Sequence, residues 1–151
     1  MIEEASLDDD ILHVINISNR EAYREIIPKE HFTEPVLSLE ELLRDFERMT
    51  FYVYRFESRI VGVSALHVQS ENTGRIRWVY ILPEYQRKRI GTALVTYIEF
   101  KAREIGLKRL WLLTSEKACW AVNFYKKLGY KLTEKIEKPW GYDVVMEKDL
   151  H

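Results

Sequence analysis

Apolar residues fall at helical spacing near the start of the chain, with Ile11, Leu12 and Ile15 behind the acidic run Asp8-Asp9-Asp10. Such a run caps a helix N-terminus, and the helix it opens carries Asn19 on the same side. From Pro28 to Pro35 the periodicity lapses and the chain reads as loop. Ser38-Leu39-Glu40-Glu41 is a capping-box pattern and predicts a second helix with Leu39, Leu42, Leu43 and Phe46 turned inward. Residues 51–56 and 60–69 are rich in β-branched and aromatic types, and Glu57-Ser58-Arg59 joins them as a tight hairpin. After a turn at Glu71-Asn72-Thr73-Gly74, residues 75–82 form a strand that ends in Trp78-Val79-Tyr80-Ile81-Leu82 and is closed by Pro83. Helical spacing returns with Thr92, Ala93, Leu94, Val95, Tyr97, Ile98, Phe100 and Ala102, and Gly106 is its C-terminal stop. A buried strand over 110–114, a helix over 118–128 stopped by Gly129, a strand over 131–137, a turn at Pro139-Trp140-Gly141 and a last strand over 142–147 follow. The predicted order is β-α-α-β-β-β-α-β-α-β-β, a mixed α/β chain. No repeat, linker or low-complexity tract divides it, so a single domain over 1–151 is expected.

Composition narrows the class. A length of 151 residues supports one real core, and 46% hydrophobic with 31% charged residues is the balance of a soluble globular protein. The net charge of −1 gives no global field to attract nucleic acid or anionic lipid. One cysteine, Cys119, excludes an internal disulfide and suits a reducing cytoplasm. Met1-Ile2-Glu3-Glu4 lacks the basic and apolar regions of a signal peptide, and no apolar run reaches the roughly 20 residues of a membrane helix. A cytoplasmic protein, monomeric or homodimeric, without membrane or nucleic-acid partners is the expectation, and no residue cluster calls for a metal.

The charge that matters is local. Gln86-Arg87-Lys88-Arg89-Ile90-Gly91 lies between the apolar strand and the amphipathic helix. A helix N-terminus offers N–H groups with no internal partner and the positive end of the helix dipole, which together hold phosphate. Gly91 has no Cβ and lets backbone approach a ligand. The bland reading of such a tract is a solvated helix start.

The segment Leu82-Pro83-Glu84-Tyr85-Gln86-Arg87-Lys88-Arg89-Ile90-Gly91-Thr92-Ala93-Leu94 resembles the acetyl-CoA signature of the GNAT superfamily of N-acetyltransferases. Asn123-Phe124-Tyr125-Lys126-Lys127-Leu128-Gly129-Tyr130 is similar to that family's second signature, and Ala22-Tyr23-Arg24-Glu25-Ile26-Ile27-Pro28 to its first helix-to-loop segment. The resemblance covers essentially the whole chain. It implies a single mixed, mostly antiparallel sheet of about six to seven strands flanked by about four helices. It implies acetyl-CoA as co-substrate, its pyrophosphate held by Arg87, Lys88, Arg89, Ile90, Gly91 and Thr92. Its amide-like pantetheine arm pairs with Val79, Tyr80 and Ile81 as with another strand, and an N–H at about Ile81 faces the thioester carbonyl. Tyr125 becomes the acid that protonates the departing thiolate, a phenol of ordinary pKa about 10 being protonated at neutral pH. Without the motif, Tyr125 is a packing tyrosine and Val79 and Ile81 are core.

The same resemblance implies transfer to a primary amine of a small molecule or peptide. The alternatives are a protein N-terminal acetyltransferase and a catalytically silent acyl-CoA-binding regulatory module. Tyr23, His31, Phe32, Trp140 and Tyr142 are available for an aromatic acceptor wall, or else anchor core and loops. His67 and Glu116 are candidate bases, and deprotonation through water or by the substrate is the default. Cys119 lacks an adjacent histidine to activate it and reads as a small buried hydrophobe. Two positions depart from the family pattern. Arg89 stands where a glycine is usual, which argues for right-handed backbone there, and Ala118 replaces an asparagine near the start of the Tyr125 helix.

Overall fold

The computed structural model describes residues 1–31 and 35–150. Seven strands form one sheet in the order β1-β2-β3-β4-β5-β7-β6, with β1 Ile2–Glu4, β2 Thr50–Phe56, β3 Arg59–Val68, β4 Thr73–Ile81, β5 Arg109–Ser115, β6 Lys131–Lys138 and β7 Gly141–Asp149. All neighbours are antiparallel except β4 and β5. The helices are α1 Asp9–Tyr23, α2 Leu39–Arg48, α3 Ile90–Glu104 and α4 Cys119–Lys127, with short 3-10 turns at Lys29–His31 and Pro83–Tyr85. This is the mixed sheet that the sequence resemblance implies.

Local signals set the element ends. Asp8 caps α1 by accepting from the Asp10 N–H at 2.8 Å. Ser38 and Glu41 complete the capping box of α2. Glu57 and Ser58, at φ 51° and 69°, turn β2 into β3 as a two-residue hairpin. Gly106 at φ 89° closes α3, and Gly129 at φ 97° follows α4.

Tertiary contacts correct three side-chain expectations. In α2 only Leu42 and Asp45 are buried; Leu39 and Leu43 are 46% and 44% exposed. The helix lies on a narrow stripe, so residues one position off it reach solvent. Phe100, on the outer side of α3, is 54% exposed. Cys119 is exposed at the first position of α4, while Ala118 beside it is fully buried and fills the inward position.

The sheet separates two helical layers. A Cβ at Gly62 would meet Leu94 and Ile90 of α3, so that face of β3 carries α3. Gly62 pairs with Ile81 and Leu66 with Ile76, which puts Ile81 and Ile76 on the α3 face too. Tyr80 and Trp78 point the other way, to α1 and α2: Asn19 donates to the Tyr80 hydroxyl at 2.9 Å, and the Trp78 indole N–H donates to Asp45 at 2.9 Å. Both layers pack into one core that includes Ile11, Ile15, Leu42, Val63, Leu94, Ile98, Leu110 and Met146.

Candidate active site

β4 and β5 diverge. They pair only where Thr73, Gly74 and Arg75 meet Arg109, Leu110 and Trp111. Beyond Arg75 the two parallel strands separate, and a cleft of about 1130 Å³ opens between them. Its walls are Arg75 to Ile81 of β4, Leu112, Leu113 and Thr114 of β5, the turn into α3, Ser18, Glu21, Ala22 and Tyr23 of α1, and the inner side of α4.

A bulge shapes the β4 wall. Arg77 pairs with Ala65 and Tyr80 with Val63, so Trp78 and Val79 together face Ser64. Trp78 takes φ 55°, an unusual value for a bulky residue, and its indole is tied to Asp45, 4% exposed, which also accepts from Arg48 at 2.7 Å. The Leu82 N–H donates to Val61 at 2.9 Å, and antiparallel pairing alternates. Ile81 therefore turns its N–H and C=O away from β3, toward the cleft. The carbonyl accepts from the Ser18 hydroxyl at 3.0 Å and from the Gln86 amide at 3.2 Å, which occupies both lone pairs. The N–H remains for a ligand.

The α3 end of the cleft is built from the basic turn. Arg87 and Arg89 adopt left-handed backbone, φ 64° and 63°, which corrects the expectation of right-handed backbone at Arg89. Each such residue costs about 1–2 kcal/mol without glycine. Arg89 is the N-cap of α3 and no side chain caps it. A left-handed residue followed by a right-handed one aims successive N–H groups at one point, a concavity for an anion. Ile90, Gly91 and Thr92 line the cleft here with Arg87 and Arg89; exposed Lys88 does not. A Cβ on Gly91 would come 3.3 Å from the Phe124 ring, so the missing side chain lets α3 approach α4 as well as a ligand.

Three tyrosines meet in the cleft: Tyr23 from α1, Tyr80 from β4 and Tyr125 from α4. Burial pushes all three phenols up, and for Tyr125 the neighbouring Tyr23 and Tyr80 push further. No group among the described residues hydrogen-bonds the Tyr125 hydroxyl. Its ring is held edge-on by Phe124 and Tyr130, at centroid distances of 4.9 and 5.7 Å. Behind it, Tyr130 donates to Glu99 at 2.7 Å, and Lys148 binds Glu99 at 3.1 Å and the Leu128 carbonyl at 2.8 Å. This network fixes the end of α4 against α3 and β7.

The other sequence candidates divide. Tyr23 lines the cleft and packs near Trp120 at 6.2 Å, an exposed aromatic that sequence reading missed because it opens α4 without a motif. His31 and Trp140 form a separate aromatic pair at 5.2 Å, and Tyr142 is 41% exposed under Lys135. None of these three lines the cleft. Phe32 lies outside the described residues. Glu116 pairs with Lys135 at 3.4 Å and His67 contacts Gln69 at 3.1 Å; neither lines the cleft. Asn123, Arg75 and Arg77 do, and were not singled out in the sequence. Among the described residues, no cluster of His, Cys, Asp or Glu can hold a metal, and no helix is long and apolar enough to cross a membrane.

Residues 14–130 match the acetyltransferase (GNAT) family. The chain is 29% identical over 85 residues to an uncharacterized N-acetyltransferase of Chlorobaculum tepidum, covering 56% of this chain and 52% of the relative. It is 31% identical over 120 residues to an amino-acid acetyltransferase of Ralstonia nicotianae, covering 79% of this chain and 24% of the relative. The chain thus spans from about half down to about a quarter of the length of these curated relatives. Its fold is that of the PaiA N-acetyltransferase from Thermoplasma acidophilum solved with coenzyme A, at TM-score 0.80 and 22% identity over 99% of both chains.

Proposed function

The chain belongs to the acetyltransferase (GNAT) family, and on that premise we propose that it moves an acetyl group from acetyl-CoA directly to a primary amine of a small molecule or peptide. The observation that carries this reading is the divergence of β4 and β5, a gap edged by unpaired backbone and closed at one end by the start of α3, which no side chain caps. The residues fit the co-substrate. Free N–H groups at Ile90 to Thr92, with Arg87 and Arg89, suit a pyrophosphate. The free edge of Val79 and Ile81 suits an amide-bearing arm.

Acetyl-CoA supplies the acetyl group as an activated thioester. The Ile81 N–H, aimed into the gap, stabilises negative charge on the thioester oxygen as the amine attacks. Tyr125 donates its phenolic proton to the sulfur as the C–S bond breaks and the C–N bond forms. Burial raises the Tyr125 pKa, so the phenol stays neutral and keeps its proton well above neutral pH. The amine loses its proton to water, and an equivalent proton restores Tyr125; His67 and Glu116 do not line the cleft, and Glu21 is the one acid among its described lining residues. With one cysteine and no disulfide, a reducing cytoplasm is the compartment we propose.

The test is Tyr125→Phe under single-turnover conditions, with thiol release as readout. The account expects a loss of roughly 10² to 10⁴ in the transfer rate, with CoA affinity within a few-fold. An unchanged rate removes Tyr125 from the mechanism. Tight CoA binding without thiol release across a broad amine panel favours a silent acyl-CoA-binding module instead.

A further inference from the structure

Arg75 and Arg77 line the cleft from β4, and neither forms an ion pair or a hydrogen bond with a carboxylate among the described residues. Both are half-buried. The Arg75 guanidinium stacks 4.8 Å over the Trp111 ring, and that of Arg77 lies 4.9 Å over the Trp78 ring. The Arg75 Nε is buried with no hydrogen-bond partner. Burial first, and then the charge of Arg77, lowers the Arg75 pKa. Two like charges held close together and partly dehydrated destabilise a fold unless something balances them. Elsewhere this chain does balance its buried charges: Asp45 has Arg48 and Trp78, and Glu99 has Lys148 and Tyr130.

The phosphate site does not explain these arginines. Ile76, between them, faces α3 with Leu66, so Arg75 and Arg77 face the α1 and α2 layer, on the opposite side of the sheet from α3. Because Trp78 and Val79 share one position opposite Ser64, Arg77 and Ile81 are only as far apart along the sheet as Ala65 and Gly62, about 10 Å. Arg75 and Arg77 line the same cleft as Ile81 and Tyr125. The cleft carries one acid among its described lining residues, Glu21, against Arg75, Arg77, Arg87, Arg89 and Lys127.

We propose that Arg75 and Arg77 form a carboxylate-binding subsite, and that the acceptor is an amine carrying its own carboxylate, an amino acid or short peptide acid. The planar guanidinium forks match a carboxylate in two hydrogen bonds each, and the tryptophan faces hold them in orientation. Cationic polyamines meet repulsion in the same place. The inference rests on the acetyl-transfer reading for its chemistry, but not for its binding test.

That test is calorimetric titration of the protein saturated with CoA, using an N-acetylated dipeptide acid and its C-terminal amide as probes. The acid should bind roughly ten- to a hundred-fold more tightly than the amide, the range of hydrogen bonds to a charged group. The contrast should fall to within about three-fold in the pair Arg75→Gln and Arg77→Gln, and be kept in part by Arg77→Lys, which retains charge without the fork. Equal affinity for acid and amide in the unaltered protein overturns the inference. Thiol release with glycylglycine and its amide, whose amines have similar basicity, should separate through KM more than kcat. Transfer to the amide or to spermidine as efficient as to the acid overturns this inference and leaves the acetyl-transfer reading intact. No transfer to any amine, with the acid still preferred in the titration, overturns the acetyl-transfer reading and sustains the subsite.

Discussion

At the α3 end of the cleft, Arg87, Arg89, Ile90, Gly91 and Thr92 come from one unbroken stretch of chain. At the other end, Tyr23 comes from α1, Arg75 and Arg77 from β4, Leu113 from β5 and Trp120 from α4. The first end is made by local geometry, a strand leading into a left-handed turn and a helix start. The second is made by packing between elements far apart in sequence, and its wall is set by a bulge that α2 holds from behind. A contiguous turn can keep the same ligand in many proteins while a composite wall changes with each neighbour. The α3 end thus depends on the backbone of one turn, whereas the other end depends on side chains that α1, β4, β5 and α4 bring together.

The comparison breaks first at Gly91. Replacing it by Val drives a branched side chain toward Phe124, already 3.3 Å from where a Cβ would sit, and crowds the N–H cradle. Since displacement of a positioned group by about 1 Å costs on the order of 10²-fold in rate, the transfer rate should fall by about that factor, and CoA affinity should fall with it. Titration with CoA and single-turnover kinetics measure the two. If CoA affinity survives, the anion is held elsewhere.

At the composite end the matching experiment is Asp45→Ala. It leaves the Trp78 N–H and the bulge without their buried acceptor, at a cost of about 1–3 kcal/mol in urea unfolding. The acceptor KM should rise while CoA affinity holds, because only the β4 wall moves. A fall in CoA affinity as large as the change in KM would mean that the two ends are one unit.

Arg89→Gly sharpens the contrast at lower amplitude. Glycine accepts φ 63° without strain, so stability should rise by about 1 kcal/mol, or a few degrees in Tm, as read by a thermal melt. CoA binding should at the same time weaken and lose part of its salt dependence. A destabilised variant would show that the guanidinium, rather than the backbone, anchors the turn.

The smallest effect is that of His67, on the far side of the composite wall. Burial first, then Arg48, Arg77 and Arg75, hold its pKa below 6.5. The folded state thus prefers the neutral ring. Its contribution to stability is present above pH 6.5 and is lost as pH falls through the depressed folded value. His67→Gln should flatten the urea midpoint between about pH 7 and 5 relative to the unaltered protein. An anionic ligand bound at Arg75 and Arg77 should move the His67 titration, followed by NMR, back upward.

The same contrast governs what the sequence reveals. Caps, hairpin and helix stops follow from a few adjacent residues: Asp8, Ser38 with Glu41, Glu57-Ser58 and Gly106 all act where their local chemistry places them. That the basic turn leads straight into a helix start is readable for the same reason, and Arg87, Arg89, Ile90, Gly91, Thr92 and Tyr125 all line the cleft. Arg75 and Arg77 are not readable, because alternating charged residues on a strand look like a solvated face until Trp111 and Trp78 are seen beneath them. Nor is the bulge at Trp78, whose partner Asp45 lies 33 positions away. Arg89 ran against its propensity; the fold holds left-handed backbone there despite the side chain. Trp140 and Tyr142 fail as cleft residues because the β6–β7 turn faces His31 and Lys135 rather than the gap between β4 and β5.

The most direct measurement is a crystal structure of the protein with CoA bound. The account predicts the pyrophosphate within hydrogen-bond distance of the Ile90, Gly91 and Thr92 N–H groups. It also predicts the pantetheine arm along Val79 and Ile81 in the gap, with its sulfur in reach of the Tyr125 hydroxyl. CoA lying outside that gap, or a sulfur far from Tyr125, would contradict it.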